Sequence, residues 1–529
     1  MKRILYVLLY FLIVVFYWEF GSNIENRTDS EDIYEYAQMV EIGYEHDWYL
    51  HRHHLFFGPL MHYSYNFFKI LGFSFSSLTF IQFNSALSSA GILFYFFLFC
   101  YKRYSLRPLS SLLATIFLGS MYGFWRYSAE AEIIVIATFF MMAGIYYSTS
   151  FSNKKNHLYF GIIFSIISVL FHLMNSVAVF IAIPIFFILQ KKLKELFIHL
   201  LICLIVVGFS YQYVYFTHPS IFSNNVNFQM FELGSAVKGS IALLQCLISF
   251  DFALGFSSVR AFLDELFANR MLLEEFFYGE RLPRYHIILS LISMFSFFLI
   301  SIYIFFRALF VWKNSFLDRD KLLPPSGFNA FILPSIFFIS YAILLTFIEP
   351  GNPELWVMGL VPLALLICGA IFVPMTYDNK LWMPLLLIII MIFHNGSAIK
   401  TLYDNDKNFN FEKGKMILSV SDKNDLVILA SNPVFKRYFD YFSTSNILYL
   451  HDYSTSELMF NEMLKKTYSN IYILDDVFNQ PKSLRVRFPN TTNEIDIFYE
   501  KLKENSKILP YNQKISSNVF KVYLNGDMQ

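Results

Sequence analysis

Apolar runs of about twenty residues recur from one end of the chain to the other, and they limit its fold more than any motif does. A helix that crosses the hydrocarbon core of a bilayer needs about 20 apolar residues. The chain is 56% hydrophobic and only 15% charged, whereas a soluble protein carries about 25% charged residues. We therefore predict a polytopic, all-α integral membrane protein.

The sequence predicts eleven membrane spans. The first, residues 4–20, follows Lys2 and Arg3 and lacks a small-residue cleavage site, so we interpret it as a retained anchor. The other predicted spans are 76–101, 108–124, 131–150, 157–173, 174–190, 196–216, 284–306, 328–348, 354–374 and 380–398.

The loops between these spans alternate in charge. With the N-terminus in the cytoplasm, the cytoplasmic loops are basic and the opposite loops acidic, as the positive-inside rule requires. The basic residues are Lys102, Arg103, Arg107, Lys154, Lys155, Lys191, Lys192, Lys194, Arg307, Lys313, Arg319 and Lys321. An odd number of spans places the C-terminus outside. The Phe-, Ile-, Asn- and Lys-rich usage is typical of AT-rich genomes and favours a bacterial inner membrane, although an endoplasmic reticulum would give the same topology.

The composition divides the chain near residue 400. Residues 1–400 form the predicted membrane module, with long outer loops at 21–75 and 217–283. From 401 to 529 the chain is polar, and a β-α-β-α-β pattern with strands at Asp425–Ala430, Asn446–Leu450 and Asn470–Leu474 predicts a small extracytoplasmic α/β accessory domain with a parallel sheet.

The net charge and the placement of the cysteines argue against a nucleic-acid partner, disulfides and a metal site formed by cysteines. A net charge of +1 gives no reason to expect nucleic acid as a partner. All four cysteines lie inside apolar runs without metal-ligand spacing, so we predict neither disulfides nor a metal site formed by them.

Acidic residues follow the first span directly. Asp29, Glu31 and Asp32 open a segment whose apolar residues follow helical spacing (Ile33, Tyr36, Ala37, Val40 and Tyr44), which predicts a helix along the membrane surface. A carboxylate there can take a proton from an acceptor hydroxyl. The spacing of Thr28 and Glu31 equally fits a capping box, in which these acids only stabilise the start of a helix.

Histidines are concentrated in the same loop. Five of the twelve, namely His46, His51, His53, His54 and His62, fall between residues 46 and 62. Their spacing matches no common metal signature. Contact of His53 or His54 with phosphate oxygens is the more plausible function, and simple interface polarity is the alternative.

A second cluster, Arg126, Glu130 and Glu132, lies at the predicted outer turn between two spans. Charged groups within a membrane tend to face a cavity. We interpret Arg126 as a partner for a lipid phosphate or for either glutamate. The alternative is that the three residues only mark the interface.

Two further outer turns carry polar residues that can line the same cavity. His172 and Asn175 lie between two apolar runs, and Glu354 follows a Pro-Gly-Asn-Pro turn. Either turn can also be ordinary turn chemistry.

The order of these motifs resembles the GT-C superfamily of membrane glycosyltransferases, and within it the bacterial relatives of the protein O-mannosyltransferases. Asp29-Ser30-Glu31-Asp32 stands where those relatives have Asp-Ser-Gly-Glu, and Ala131-Glu132-Ile133-Ile134 where they have Ala-Glu-Val-Tyr. His53 or His54 matches the histidine of their His-Pro-Pro-Gly-Tyr-Pro-Leu motif, of which only Gly58-Pro59-Leu60 is retained. The match covers about the first 180 residues.

The resemblance implies a GT-C-like fold and transfer of a sugar from a polyprenyl-phosphate donor to an acceptor protein, lipid or glycan at the outer face. Asp29 would be the base, and Arg126 with the loop histidines would stabilise the leaving phosphate. Glu132 would position the acceptor or a cation, and a divalent cation is left open because metal dependence differs within the superfamily.

Two other functional classes of membrane protein stay open, and so does a third class without chemistry. A polysaccharide polymerase or ligase would use the loop 217–283, which contains Arg260, Arg270 and Arg281. A lipid or solute transporter would show ionisable residues or broken helices at mid-membrane, together with internal repeats. A structural or receptor protein without chemistry is the third alternative.

Overall fold

The structure, a computed structural model, describes residues 2–21, 32–150, 155–222, 233–250, 256, 258, 284–314, 325–402, 409–430, 433–480, 485, 489–512 and 516–524. The chain divides into two compact units. The first comprises Met1–Asn23, Tyr36–Phe252 and Pro283–Lys400, and the second comprises Ile24–Glu35, Ala253–Leu282 and Thr401–Gln529.

Helices build the first unit. Its longer elements are α1 (Lys2–Gly21), α2 (Asp32–Ile42, whose first turn belongs to the second unit), α3 (Phe57–Ile70), α4 (Ser77–Lys102), α5 (Pro108–Gly119), α6 (Tyr122–Ala129), α7 (Ile133–Ser148), α8 (Lys155–Phe171), α9 (Ile183–Leu189), α10 (Leu193–Thr217), α11 (Leu233–Leu247), α12 (Arg284–Asn314), α13 (Pro325–Ile348), α14 (Pro353–Ile367), α15 (Val373–Tyr377) and α16 (Trp382–Leu402). Five-residue π-helical segments, Ala178–Ala182 and Cys368–Phe372, lead into α9 and α15.

Every predicted span coincides with helical residues. Among the described residues, six helices are long and apolar enough to cross a membrane, and α6 with α7 forms a further, bent candidate. The remaining predicted spans are shorter apolar helices. The chain is therefore an integral membrane protein, and the number eleven stays a prediction.

The predicted spans 108–124 and 131–150 differ from the structure at their junction. Helix α5 ends at Gly119, α6 carries residues 122–129 as a separate short helix, and α7 turns away from α6 by 113°. Glycine is a poor helix former. The Ser120 hydroxyl also donates to the Phe117 carbonyl at 2.9 Å, which competes with the regular helical pattern. The predicted outer turn is thus a short helix followed by a sharp break.

Small residues allow α7 and α8 to pack closely. A Cβ on Gly144 would meet the Ser165 side chain, and a Cβ on Gly161 would meet the Ser148 side chain. Without a hydrophobic driving force between helices in lipid, such close backbone approach is what holds membrane helices together. This packing fixes the turn after α8 against α7.

A five-stranded sheet forms the centre of the second unit. Its strands are β1 (Leu426–Leu429), β2 (Asn446–Tyr449), β3 (Ile471–Leu474), β4 (Ser506–Asn512) and β5 (Ser516–Leu524), in the order β2-β1-β3-β5-β4. Helices α17 (Phe409–Val420), α18 (Pro433–Phe442), α19 (Ser456–Leu464) and α20 (Pro489–Asn505) accompany it. The predicted parallel β1–β3 arrangement is confirmed. The antiparallel pairings of β5 with β3 and β4 make the sheet mixed, which the sequence reading missed.

Candidate functional site

The acidic run of the first outer loop is only partly described. The proposed bases Asp29 and Glu31 lie outside the described residues. Asp32 begins α2 and lies in the second unit, where its carboxylate is 3.5 Å from Arg437, and Glu35 is 3.6 Å from the same guanidinium. Asp32 therefore belongs to an ion-pair cluster of the second unit, whereas the other described candidates belong to the first.

The predicted apolar face of α2 is confirmed for four of its five positions. Ile33, Tyr36, Ala37 and Val40 are buried. Tyr44 is 78% exposed and lies beyond the end of the helix. The helix is therefore anchored through this face.

Four imidazoles come together where the first outer loop meets the turn after α8. The His54 ring centroid is 4.7 Å from that of His172 and 5.1 Å from that of His51, and His51 is 5.2 Å from His53. Backbone hydrogen bonds hold the two segments together, since Leu173 N donates to His53 O at 2.9 Å. The structure thus brings His53, His54 and His172 together with His51.

Burial favours the neutral form of these loop imidazoles. It lowers the pKa of His51 to about 4, helped by His53 and Arg52, and it lowers the pKa of His53 and, more strongly, that of His54. Among the described residues no three His, Cys, Asp or Glu side chains are arranged to hold a metal ion. A neutral imidazole can donate one hydrogen bond to a phosphate oxygen, so the cluster is better suited to orientation than to charge neutralisation.

The retained Gly58 has a steric reason. A Cβ at this position would overlap the backbone carbonyl of Tyr49, so the start of α3 passes the loop too closely for any larger residue. This close approach closes the loop that carries the histidines.

Arg126, Glu130 and Glu132 are almost completely buried. Arg126 and Glu130 are each 1% exposed and Glu132 is 0% exposed. Arg126 Nε donates to Glu130 Oε1 at 3.2 Å, one helical turn apart. The guanidinium carbon also lies 5.3 Å from the centre of the Tyr127 ring. Residues that merely mark an interface would not be buried in this way.

Glu132 stands directly before α7, at the break between α6 and α7. Its backbone N–H donates to Ser85 Oγ at 3.2 Å, and Ser85 Oγ lies 3.1 Å from the Glu132 carbonyl. The break is therefore attached to α4, which fixes where the Glu132 side chain starts.

Asn175 links the histidine cluster to the same end of α7. Its side-chain amide nitrogen donates to the carbonyls of Ala137 and Ser168 at 3.3 and 3.1 Å. Since Ala137 lies in the second turn of α7, the turn after α8 packs beside the helix that Glu132 precedes. The contacts of Asn175 give it a structural function in addition to any contact with substrate.

Glu354 opens α14, where the Asn352 side chain caps the helix by accepting from the Glu354 N–H at 3.0 Å. The side chain of Glu354 is half-buried, and α14 packs against both α6 and α7. The carboxylate thus lies on an element that borders the broken pair.

An apolar groove of about 540 Å³ runs between α1, α4 and α5. It begins near Leu9 and Phe97 and ends at Tyr17, Ser120 and Trp125. Trp125 is the residue before Arg126, so the groove ends at the short helix that carries the buried guanidinium. Sequence reasoning did not predict this groove, because it requires the packing of three separate spans.

A buried polar pair in α16 was also missed. His394 and Asn395 interrupt the predicted span 380–398, and both are buried. Polar residues within a membrane span are costly unless they face the interior of the protein, so this pair could have been recognised in the sequence as a candidate for a structural or functional contact.

Comparison with known proteins gives one kind of match. No protein-family profile matches the sequence, and no curated protein matches it significantly. Two solved structures of ArnT from Cupriavidus metallidurans are similar in fold: one bound to undecaprenyl phosphate, with 9% identity, a TM-score of 0.45 and 97% of each chain covered, and one in the apo state, with 10% identity, a TM-score of 0.46 and 98% of each chain covered.

Proposed function

We propose that the chain is a GT-C-type membrane glycosyltransferase. It moves a sugar from a polyprenyl-phosphate-linked donor to an acceptor hydroxyl at the outer face of the membrane. The observation that carries the proposal is the apolar groove that ends beside α6, with Arg126 buried in that helix. Sequence motifs in the order expected for the superfamily support the same function.

The groove and the charged helix suit the two ends of a lipid phosphate. A hydrocarbon chain gains free energy from apolar contacts, at about 25 cal/mol per Å² of area removed from water. Its phosphate needs charge-assisted donors, which a guanidinium supplies in a fixed fork. A chain seated between α1 and α5 brings its phosphate to the end lined by Trp125, the residue next to Arg126 in α6.

The chemistry requires a base and stabilisation of the leaving phosphate. Asp29, with Glu31 as the alternative, takes the proton from the acceptor hydroxyl. Arg126 stabilises charge on the leaving phosphate. His53 and His54 orient it through neutral imidazole donors.

The charges of Glu130 and Glu132 affect how the site can bind an anionic donor. If all three groups are ionised, the cluster around Arg126 carries one net negative charge, which opposes binding of an anion. A divalent cation would restore the balance, and Glu132 is the carboxylate that would hold it, since Mg²⁺ is commonly bound through one or two carboxylates and substrate phosphates. Glu132 therefore positions either the acceptor or such a cation.

A transporter is the second candidate. The 113° break between α6 and α7, with buried Glu130 and Glu132 at the break, is a feature of membrane transporters as well. A lipid-flipping assay in reconstituted vesicles distinguishes the two, since an enzyme moves the sugar to an acceptor and leaves free polyprenyl phosphate, whereas a flippase moves the donor across the bilayer unchanged.

The groove is tested by chain-length dependence of binding. Ile116 lines the groove, so Ile116→Trp should weaken binding of a long-chain polyprenyl phosphate more than tenfold in nanodiscs. The same variant should weaken binding of a farnesyl-length analogue less. Ile163→Trp, at a position on α8 that is 50% exposed, is the matched control. Equal affinities for the wild type and both variants would contradict the assignment of the groove.

A further inference from the structure

The amide of Asn395 joins three parts of the first unit that are far apart in sequence. Its nitrogen donates to Ser120 O at 2.8 Å and to Leu247 O at 3.0 Å, and its oxygen accepts from Ser249 N at 3.0 Å. Asn395 is 0% exposed. Both amide hydrogens and the carbonyl oxygen are thus used by backbone groups, at the ends of α5 and α11.

His394 reinforces the same junction. Its Nε2 lies 2.9 Å from Ser249 O, and its Nδ1 lies 2.6 Å from Ser293 Oγ in α12. Because a carbonyl only accepts, His394 Nε2 carries a proton and donates to Ser249 O. Ser249 is therefore held through both its N–H and its carbonyl by two adjacent residues of α16.

The junction lies where the chain enters α6. Ser120 is the residue after α5, and α6 begins at Tyr122. The next residue of α16, Gly396, faces the Trp125 ring, since a Cβ there would lie 3.1 Å from Trp125 Cη2. One turn of α16 thus fixes both the entry to α6 and the ring that precedes Arg126.

We infer that Asn395 is a positioning residue, which fixes α6, and through it Arg126, at the end of the groove that Trp125 lines. This inference rests on the proposed function, because Arg126 is the group whose position it sets. Only an amide fits the junction, since it supplies two donors and one acceptor at once. A carboxylate in its place offers at most one donor, and a leucine offers none.

The inference is tested with Asn395→Asp and Asn395→Ser in nanodiscs, beside the control Asn84→Ser. Asn84 is a half-buried amide that bonds only Phe80 O of its own helix. The readouts are hydrogen–deuterium exchange of residues 120–131 and the kinetics of sugar transfer from a polyprenyl-phosphate sugar, normalised to folded protein. Asn395→Ser keeps the test usable if the charged variant does not fold.

We expect faster exchange in residues 120–131 for both Asn395 variants, with kcat reduced about 10²-fold and donor KM changed less than threefold, since small misplacements of a catalytic group have effects of that size. The Asn84 control should match the wild type. Wild-type exchange or kcat in Asn395→Ser overturns the inference. Arg126→Lys with wild-type turnover instead overturns the proposed function of Arg126, and the exchange result still decides whether Asn395 positions α6.

Discussion

Removing one partner of the buried Arg126–Glu130 pair should cost far more stability than removing one partner of a solvent-accessible ion pair. At 3.2 Å, two unit charges attract by about 5 kcal/mol for an effective dielectric constant of about 20. Loss of one partner of a buried pair typically costs about 3–5 kcal/mol, because the other charge stays buried. We therefore expect Arg126→Met and Glu130→Leu each to lower the free energy of unfolding by about 3–5 kcal/mol.

The pair of Arg307 with Asp378 is the matched control. Its nitrogen–oxygen distance is shorter, 2.6 Å, but the two side chains are 32% and 26% exposed. Solvent-accessible pairs contribute about 0–1 kcal/mol. Arg307→Met should therefore be nearly neutral, which shows that burial and not distance sets the cost.

The assay is reversible denaturant unfolding in mixed micelles, with the double variant Arg126→Met/Glu130→Leu completing the cycle. The double variant should recover at least about 2 kcal/mol relative to the sum of the single variants. The double variant should still lack sugar transfer, because it regains stability but not the Arg126 guanidinium that binds the phosphate. Single variants within about 1 kcal/mol of the wild type would refute the assignment of a buried, mutually dependent pair.

Three further outcomes are expected. Gly58→Ala should destabilise the protein, because its methyl group overlaps the Tyr49 carbonyl; a melting temperature equal to that of the wild type would refute this. Between pH 6.5 and about 4, His51 is protonated in the unfolded chain but not in the folded one. Lowering the pH through this range should therefore lower the free energy of unfolding by up to about 1.4 kcal/mol per pH unit. His51→Gln should reduce this slope in denaturation curves. Glu132→Gln should weaken sugar transfer severely while leaving its backbone bonds to Ser85 in place; unchanged initial rates would remove its functional role.

Hydropathy located the helices well because the bilayer sets a fixed length for every span. It failed at Gly119–Tyr122, where the local preferences of Gly119 and Ser120 end α5 within an otherwise apolar run. In the second unit, β1 to β3 were predictable from short apolar segments. Strand β5 has its buried Val519 and Val522 three residues apart, so its burial lacks the period of two by which a strand is predicted from sequence.

The sequence supplied the candidate residues of the site but did not predict how they are arranged in space. The sequence showed that His53 and His172 are polar residues in separate loops, but it did not show the backbone pairing, such as that of His53 O with Leu173 N, that brings the loops together. It also left open whether Glu130 lies at an interface, and burial depends on neighbours supplied by other helices. Asn395 was overlooked because its three partners come from segments more than 140 residues away.

The most direct test of the proposed function is turnover of a panel of polyprenyl-phosphate sugars by the purified protein, wild type beside Asp29→Asn. A carboxamide cannot accept the acceptor's proton, so the variant should insert normally and lose transfer by about 10²–10⁴-fold. Transfer at the wild-type rate in the variant would remove Asp29 as the base. Absence of both binding and turnover of every donor by the wild type would contradict the glycosyltransferase assignment.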